Sequence, residues 1–572
     1  KMKKIRTDIL IIGMGGAAQL AALNAFDANP DLNIVIVTKA LQGKGGCSRM
    51  VQGGFNVVLN SADSHEKHLR DTLKGGQYIN NQELAKTLVE QATPTIKEME
   101  TKYGCFFDRY PDGTVHQKPF AGQSFDRTVH KGDLTGIEII SRTTEQIMRR
   151  DIRILEECRA LDLLADTTGR EIVGALCVDI KQGDFFVVEA AATLVATGGG
   201  PTSYRFFAPG PEKTLDGMGM LYRAGVRMVD MEMLQFHPTG LIVPGSVVAG
   251  SLLEEGLRGA GAYMLNGLGE RYMQRYDSVK MERTTRDVMS RSSFLEMMAG
   301  RGCEHGGVDM MAAHLGAEFV EKNFPGMYTR CKLFGYDLAR KPVPVSPAAH
   351  FMMGGAVIDT ACHTSLERLF AAGEDAGGVH GANRLGGNGI ADSCVYGRQA
   401  GKSMAQYLKQ ERGIPQADER QIEHLVAHYL APFARTSGPS PLTLRDELRE
   451  MNWTHVGIAR TEEKLQQAID IIEKIHQEVL MVQLTGTGGR AYNMVWQDWI
   501  ALFNMLDVSR MISASALQRQ ETRGAHFRLD YPKQDDRYGL FNIFLNRGTN
   551  GKPILEKRPV ALKYMRPTDV VN

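Results

Sequence analysis

DILIIGMGGAAQLAAL, residues 8–23, followed by NIVIVTK at 33–39, is the stretch whose reading decides the fold. An apolar run ending in Gly13-Met14-Gly15-Gly16-Ala17-Ala18, a helical pattern and a second apolar run spell strand, glycine turn, helix, strand. This is the βαβ unit of a dinucleotide fold. Gly13 permits the tight turn, Gly15 lets backbone approach a pyrophosphate, and Ala18 stands at the third glycine position. The N-terminus of the helical pattern QLAALNAF then turns the positive end of its dipole toward the phosphates. The expected fold class is α/β with a Rossmann-like domain. One departure stands out: the second strand ends in Thr38-Lys39, where an acid for the ribose is usual.

Working outward, the 572-residue chain is too long for one simple core and predicts roughly two to four domains. A formal net charge of +1 argues against a nucleic-acid partner or an anionic-membrane surface. Glycine, at 61 residues against 21 prolines, suits close backbone approach to a large ligand. The eight cysteines are scattered without a CxxC pair, so neither a metal site nor an iron–sulfur cluster is expected in this chain. A disulfide framework is out of place at this size, which points to the reducing cytoplasm. The run after Lys1-Met2-Lys3-Lys4 is too short, and too soon followed by glycine, for a signal peptide. No stretch of about 18 uninterrupted apolar residues occurs, so the chain itself is not expected to span a membrane.

Residues 78–105 read as a helix broken at Pro94, and about 170–197 as a hairpin returning to the main sheet. GGCSRMVQGG, residues 45–54, holds Cys47 between two glycine pairs, Gly45-Gly46 and Gly53-Gly54. Such pairs predict backbone passing close to something flat or crowded. Motif density falls over 241–340, as in an inserted domain, and the nucleotide-domain style resumes near Val345. Beyond about 420 come amphipathic helices such as RTEEKLQQAIDIIEKIHQEVL, then an irregular tail from about 536.

Ordered motifs then become specific: HPTG at 237–240, EGLRG at 255–259, NGLGERYM at 266–273 and RDVMSR at 286–291. PAAHFMMGG at 347–355, AAGE at 371–374, HGANRLGGNG at 380–389 and RGAHFRLDYP at 523–532 complete the series. In this order the chain resembles the flavoprotein subunit of succinate dehydrogenase and fumarate reductase, with aspartate oxidase and the soluble fumarate reductases as relatives. The resemblance implies a Rossmann-like FAD-binding domain in two parts, 1–240 and 346–420. It also implies an inserted α+β capping domain at 241–345, a helical domain at 421–535 and a tail at 536–572.

The same resemblance implies residue roles. His237, His350 and Arg384 hold a dicarboxylate, with Phe120 and Glu254 beside it. Arg286 is the proton donor, resupplied through Glu255 and Arg258. Gly13, Gly15, Gly16 and Ala17 cradle the FAD pyrophosphate, and Thr38 and Lys39 take the adenosine side. Gly45, Gly46, Cys47, Gly53 and Gly54 lie along the flavin. Asp216, Glu374, Asn388 and Ser393 are further cofactor contacts.

Two departures from the family pattern carry the most weight, beside lesser ones at Ala260 and Gly389. Cys47 stands where respiratory members carry the histidine that bonds the flavin, so FAD is expected to be non-covalent; a cysteinyl thioether is the alternative. Glu254 stands where threonine is common, so a plain dicarboxylate meets a second carboxylate there unless that group is neutral or turned away. The implied function is reduction of fumarate or a substituted fumarate, or the reverse, beside an iron–sulfur protein partner. A membrane anchor or quinone-reactive subunit would belong to other chains, leaving this one cytoplasmic or peripheral on the membrane. The alternatives are a stand-alone oxidase or dehydrogenase of aspartate or another substituted succinate, and a non-catalytic flavin-binding assembly subunit.

Overall fold

In the computed structural model, which describes residues 2–570 except 209, 412 and 538, strand Lys3–Ile12 lies between Ile34–Thr38 and Phe185–Val195, parallel to both. Ile9 to Ile12 are buried without alternation, as strands covered on both faces are. The sheet runs Ile152–Glu156, Ile34–Thr38, Lys3–Ile12, Phe185–Val195, Ile172–Asp179, Cys158–Ala165. Ile172–Asp179 pairs antiparallel with the first half of Phe185–Val195, which is the expected hairpin. From Thr193 onward that strand pairs instead with Leu369–Ala371, in parallel. The long insertion between Val195 and Leu369 therefore leaves and rejoins one sheet.

The glycine turn follows the first strand. Gly13 has φ +112°, and a Cβ there would stand 2.1 Å from the Ala196 carbonyl oxygen, so only glycine passes. Helix Gly16–Ala28 begins directly beyond it.

Strands Leu234–Leu241 and Val343–Met352 pair antiparallel and continue into a second sheet with Val308–Met311 and Tyr263–Leu265. Around them Leu253, Leu257, Met289 and Met327 form an apolar cluster separate from the main core. Helices Pro441–His455, Glu462–Leu480 and Met494–Gln518 pack together further along. The middle one starts at Thr461, whose hydroxyl accepts from the Lys464 amide, with Glu462 and Glu463 at the positive end of its dipole. Among the described residues, Met494–Gln518 is the one helix long and apolar enough to cross a bilayer. Most of its apolar side chains, Trp496 and Trp499 included, are packed into the core, while Met494 at its start is exposed.

Two expectations are corrected. Pro94 does not break its helix: Gln82–Thr101 runs through it. The proline forfeits one backbone hydrogen bond, while Leu88, Ala92, Ile96 and Met99 are buried on either side and hold the segment in place. The tail is not irregular either. Phe541–Arg547 and Pro553–Pro559 form a hairpin whose first strand pairs with Met228–Val229. Its pattern is masked by charged and amide residues because one face stays in water. Residues 1, 538, 571 and 572, which the leading basic run and the tail include, lie outside the described residues.

Candidate active site

Two cavities meet at the carboxyl ends of the main-sheet strands, where open α/β sheets place their ligands. The first, about 120 Å³, is walled by Gly13, Gly15, Gly16, Ala17, Thr38, Lys39, Gly45, Gly46 and Asp216. The second, about 410 Å³, is walled by Gly53, Gly54, Phe120, His237, Glu254, Glu255, Arg286, His350 and Arg384. Cys47, Ser48, Lys213, Glu374 and Ser393 line both, so the two form one elongated space.

At the first end, Lys39 and Arg159 donate to opposite oxygens of Asp216, at 2.8 and 2.6 Å, and Thr214 and Asn504 add bonds of 2.7 Å. Burial pushes this carboxyl up, but the two cations outweigh it and hold the group far below the usual carboxylate range. Where the cavities join, Lys213 Nζ donates to Glu374 Oε2 at 2.9 Å, and the Met352 amide donates to Glu374 Oε1 at 3.0 Å. Cys47 lies beside Lys213; burial raises its thiol above the usual range despite that ammonium.

The second end is built from charged heads of helix first turns. Glu255 opens helix Glu255–Gly259 and Arg286 opens Arg286–Met298. Arg286 donates to Glu255 Oε2 through Nε at 3.0 Å and lies 2.9 Å from it through Nη2. Arg258 does not reach the cavity. It stands behind, with Nη2 3.8 Å from Glu255 Oε1 and Nη1 donating to the Glu282 carbonyl. Burial raises the Glu255 carboxyl, but Arg286 and Arg258 together hold it below its ordinary value, so it is ionised.

Gln235 accepts from Arg286 Nη1 at 3.3 Å and from Arg384 Nη2 at 3.0 Å, which sets two guanidinium groups side by side. Arg384 also donates to His350 Nε2 at 3.0 Å; a guanidinium has no acceptor, so that nitrogen carries no proton. The His237 and His350 rings are 5.3 Å apart, edge to face, because strand register sets His237 opposite Ala348. Burial first, and then the neighbouring guanidinium groups, hold both imidazoles well below 6.5 and draw Arg384 down to about 9. The free site thus pairs neutral imidazoles with guanidinium cations. Lys118, on the short Gln117–Lys118 strand, donates to Glu254 Oε1 at 2.8 Å.

Known proteins share this architecture. An FAD binding domain profile matches residues 8–390, and a fumarate reductase flavoprotein C-terminal profile matches residues 445–571. The chain is 38% identical to one of the subunits of the CoM/CoB fumarate reductase of Methanothermobacter marburgensis, over 94% of this chain and 97% of that one. It belongs to the fumarate reductase and succinate dehydrogenase flavoprotein family. It is also 40% identical to an uncharacterized FAD-dependent oxidoreductase of Methanocaldococcus jannaschii, over 93% of this chain and 95% of that one. A solved variant of E. coli quinol fumarate reductase superposes with a TM-score of 0.92 at 31% identity, covering 99% and 98% of the two chains. The members of this flavoprotein family are oxidoreductases acting on CH–CH bonds.

The residues present fit FAD. Glycine backbone at a helix N-terminus and the Lys39–Arg159 pair suit phosphates and adenosine, and Lys213 with Glu374 suits the polyol and ring. One expected contact of the flavoprotein is corrected. Asn388 lines neither cavity: it accepts from His68 Nε2 at 3.1 Å and Asn56 Nδ2 at 2.8 Å and donates to Thr72 at 3.0 Å. Its carboxamide oxygen and one of its two N–H groups are thus committed to buried protein partners away from both cavities. Sequence reading missed Arg159, Lys213, Gln235 and Lys118. Lys213 carried a signal, a lone cation in the glycine-flanked GPEKTLDG segment; the others sit in ordinary strand patterns and carried none.

Proposed function

We propose that this chain is the catalytic FAD-bearing subunit of an enzyme that reduces the double bond of fumarate or a substituted fumarate, or oxidises the corresponding succinate. The observation that carries the reading is the convergence of Arg286, His237, His350 and Arg384 on a cavity continuous with the nucleotide cavity. Bound FAD supplies or accepts the hydride. Arg384, steadied by Gln235 and His350, offers a planar fork to one substrate carboxylate. The neutral His237 imidazole adds a hydrogen bond without adding charge. Arg286 gives a proton to the alkene carbon and recovers one through Glu255, with Arg258 behind it. In this reading 1–240 and 346–420 carry the cofactor, 241–345 caps the substrate, 421–535 is the helical domain and 536–572 the tail.

FAD is held without a covalent bond. The support is that burial raises the half-buried Cys47 thiol despite the neighbouring Lys213, which disfavours the thiolate, the far stronger nucleophile. Acid precipitation is expected to release all yellow colour to the supernatant; flavin retained in the pellet refutes this. Electrons arrive through an iron–sulfur protein partner, and a membrane or quinone-reactive subunit would hold the assembly at the cytoplasmic face. Exposed Met50, Leu134 and Ile137 at the cavity mouth suit such docking. The deciding experiment is anaerobic mixing of dithionite-reduced holoenzyme with fumarate and substituted fumarates. Reoxidation by one of these acids is expected. Failure of all of them, or peroxide formation with L-aspartate, overturns the reading.

A further inference from the structure

Glu254 lines the substrate cavity yet has no part in the proton path above. It is 5% exposed and gives the helix it precedes no side-chain hydrogen bond. One oxygen accepts from Lys118; the other, Oε2, is buried with no partner in the protein. Two glycines pass close beside it. A Cβ on Gly53 would stand 2.5 Å from the Phe120 ring and 3.6 Å from Glu254 Oε1, and one on Gly256 would stand 2.9 Å from Oε2. Lys118 is itself steadied, its ammonium 5.5 Å from the centre of the Phe120 ring.

An ionised carboxylate only accepts, at about four lone-pair positions, and the Lys118 ammonium fills one of them. A buried oxygen left without a donor is unfavourable, so the group that completes this wall brings an N–H or O–H. A second substrate carboxylate brings neither, and adds like charge. A carboxamide has nearly the same size and shape and brings two N–H donors. The remaining carboxylate still has Arg384 and the imidazoles.

We propose that Glu254 determines specificity by selecting a hydrogen-bond donor on the nearest end of the substrate, and that the preferred substrate is a half-amide. Such a molecule is a four-carbon unsaturated acid with a carboxamide in place of one carboxylate. The inference rests on the alkene-reducing reading of this site. The reaction keeps its balance: one hydride from reduced FAD and one proton from Arg286 add across the double bond. The products are the saturated half-amide and oxidised FAD.

The test mixes dithionite-reduced holoenzyme with fumaramate or fumarate, anaerobically, and follows flavin reoxidation. kcat/KM is expected to favour fumaramate at least tenfold. Glu254→Gln places an N–H where an oxygen stood, and is expected to move that ratio at least tenfold toward fumarate, mainly through KM. Binding of succinamate and succinate to the oxidised enzyme, read from the flavin absorbance shift, should move in the same direction. Equal preference in the wild type overturns the proposal. So does an unchanged ratio in Glu254→Gln with a lowered Tm, which leaves Glu254 as a clasp for Lys118. If no acid reoxidises the flavin, the reading of the reaction has failed. Succinamate and succinate binding then still judges Glu254 separately.

Discussion

Arg286 lines the second cavity and is bonded to the ionised Glu255, and in the proposed reaction this contact would return the proton it gives up. Arg286→Ala is expected to lower kcat/KM for the alkene by about 10³-fold, a loss near 4 kcal/mol of transition-state stabilisation. Stopped-flow reoxidation checks this, and an unchanged flavin spectrum shows that the cofactor still binds. His68 supports a stability prediction. Burial, with Arg127 next, lowers its pKa to about 4, and its Nε2 hydrogen is committed to Asn388. The native state keeps it neutral while the unfolded chain protonates near 6.5. The unfolded state therefore binds more protons between those values, and stability falls as pH drops through that window, by about 3 kcal/mol at its lower end. His68→Gln should flatten this slope, as urea midpoints at pH 7 and pH 5 would show. At this scale much was legible, since charged residues embedded in glycine-rich motifs stand out. Gln235 was not, because a glutamine in a buried strand has no local mark of the two guanidinium groups it joins.

Elements carry the next layer. Helix Thr135–Met148 abuts the Cys47–Met50 turn at its first residues. The Gly136 amide donates to the Val51 carbonyl at 2.8 Å, and a Cβ on Gly136 would stand 2.1 Å from the Ser48 carbonyl oxygen. Gly136→Ala must therefore displace the turn that walls the cofactor cavity. The expected outcome is FAD binding weakened by about tenfold or more and a stability loss of about 1–3 kcal/mol. Flavin titration of the apoprotein and denaturant melts measure the two. The glycine pairs of GGCSRMVQGG announced a crowded backbone, and Gly53 and Gly54 do meet Phe120 and the Val129 carbonyl while Gly46 meets nothing; the helix that abuts the residues between the pairs is distant in sequence. Helix Glu462–Leu480 was readable because its cap and its apolar stripe agree. Pro94 misled because propensity is local, whereas packing on both sides of it decided the outcome.

At the scale of the molecule, the tail hairpin ties the far end of the chain to the middle. Asn542 and the Ile543 amide donate to the two carboxylate oxygens of Asp230, at 2.6 and 2.8 Å. Arg519 donates to the Phe541 carbonyl at 2.8 Å. Burial first, and Glu232 next, raise the Asp230 carboxyl to about 7, so stripping its partners exposes a site already near its limit. Removing residues 541–572 is expected to lower the holoenzyme Tm by several degrees or more, the cost of unpaired buried charges. A thermal melt decides; an unchanged Tm would mean the hairpin is only a surface ornament.

The sequence by itself determined the βαβ start and the α/β class, and its ordered motifs carried the resemblance that implies the flavin and the site residues. Those follow from local periodicity, glycine geometry and motif order, each contained within a few neighbouring residues. Tertiary structure alone decided that Gln235 would set Arg286 beside Arg384, that Asn388 would spend its amide on His68, Asn56 and Thr72, and that Lys118 would meet Glu254. Each of these joins residues far apart in the chain. Their partners are chosen by strand register and by the need of buried polar atoms for one another, which no local pattern records.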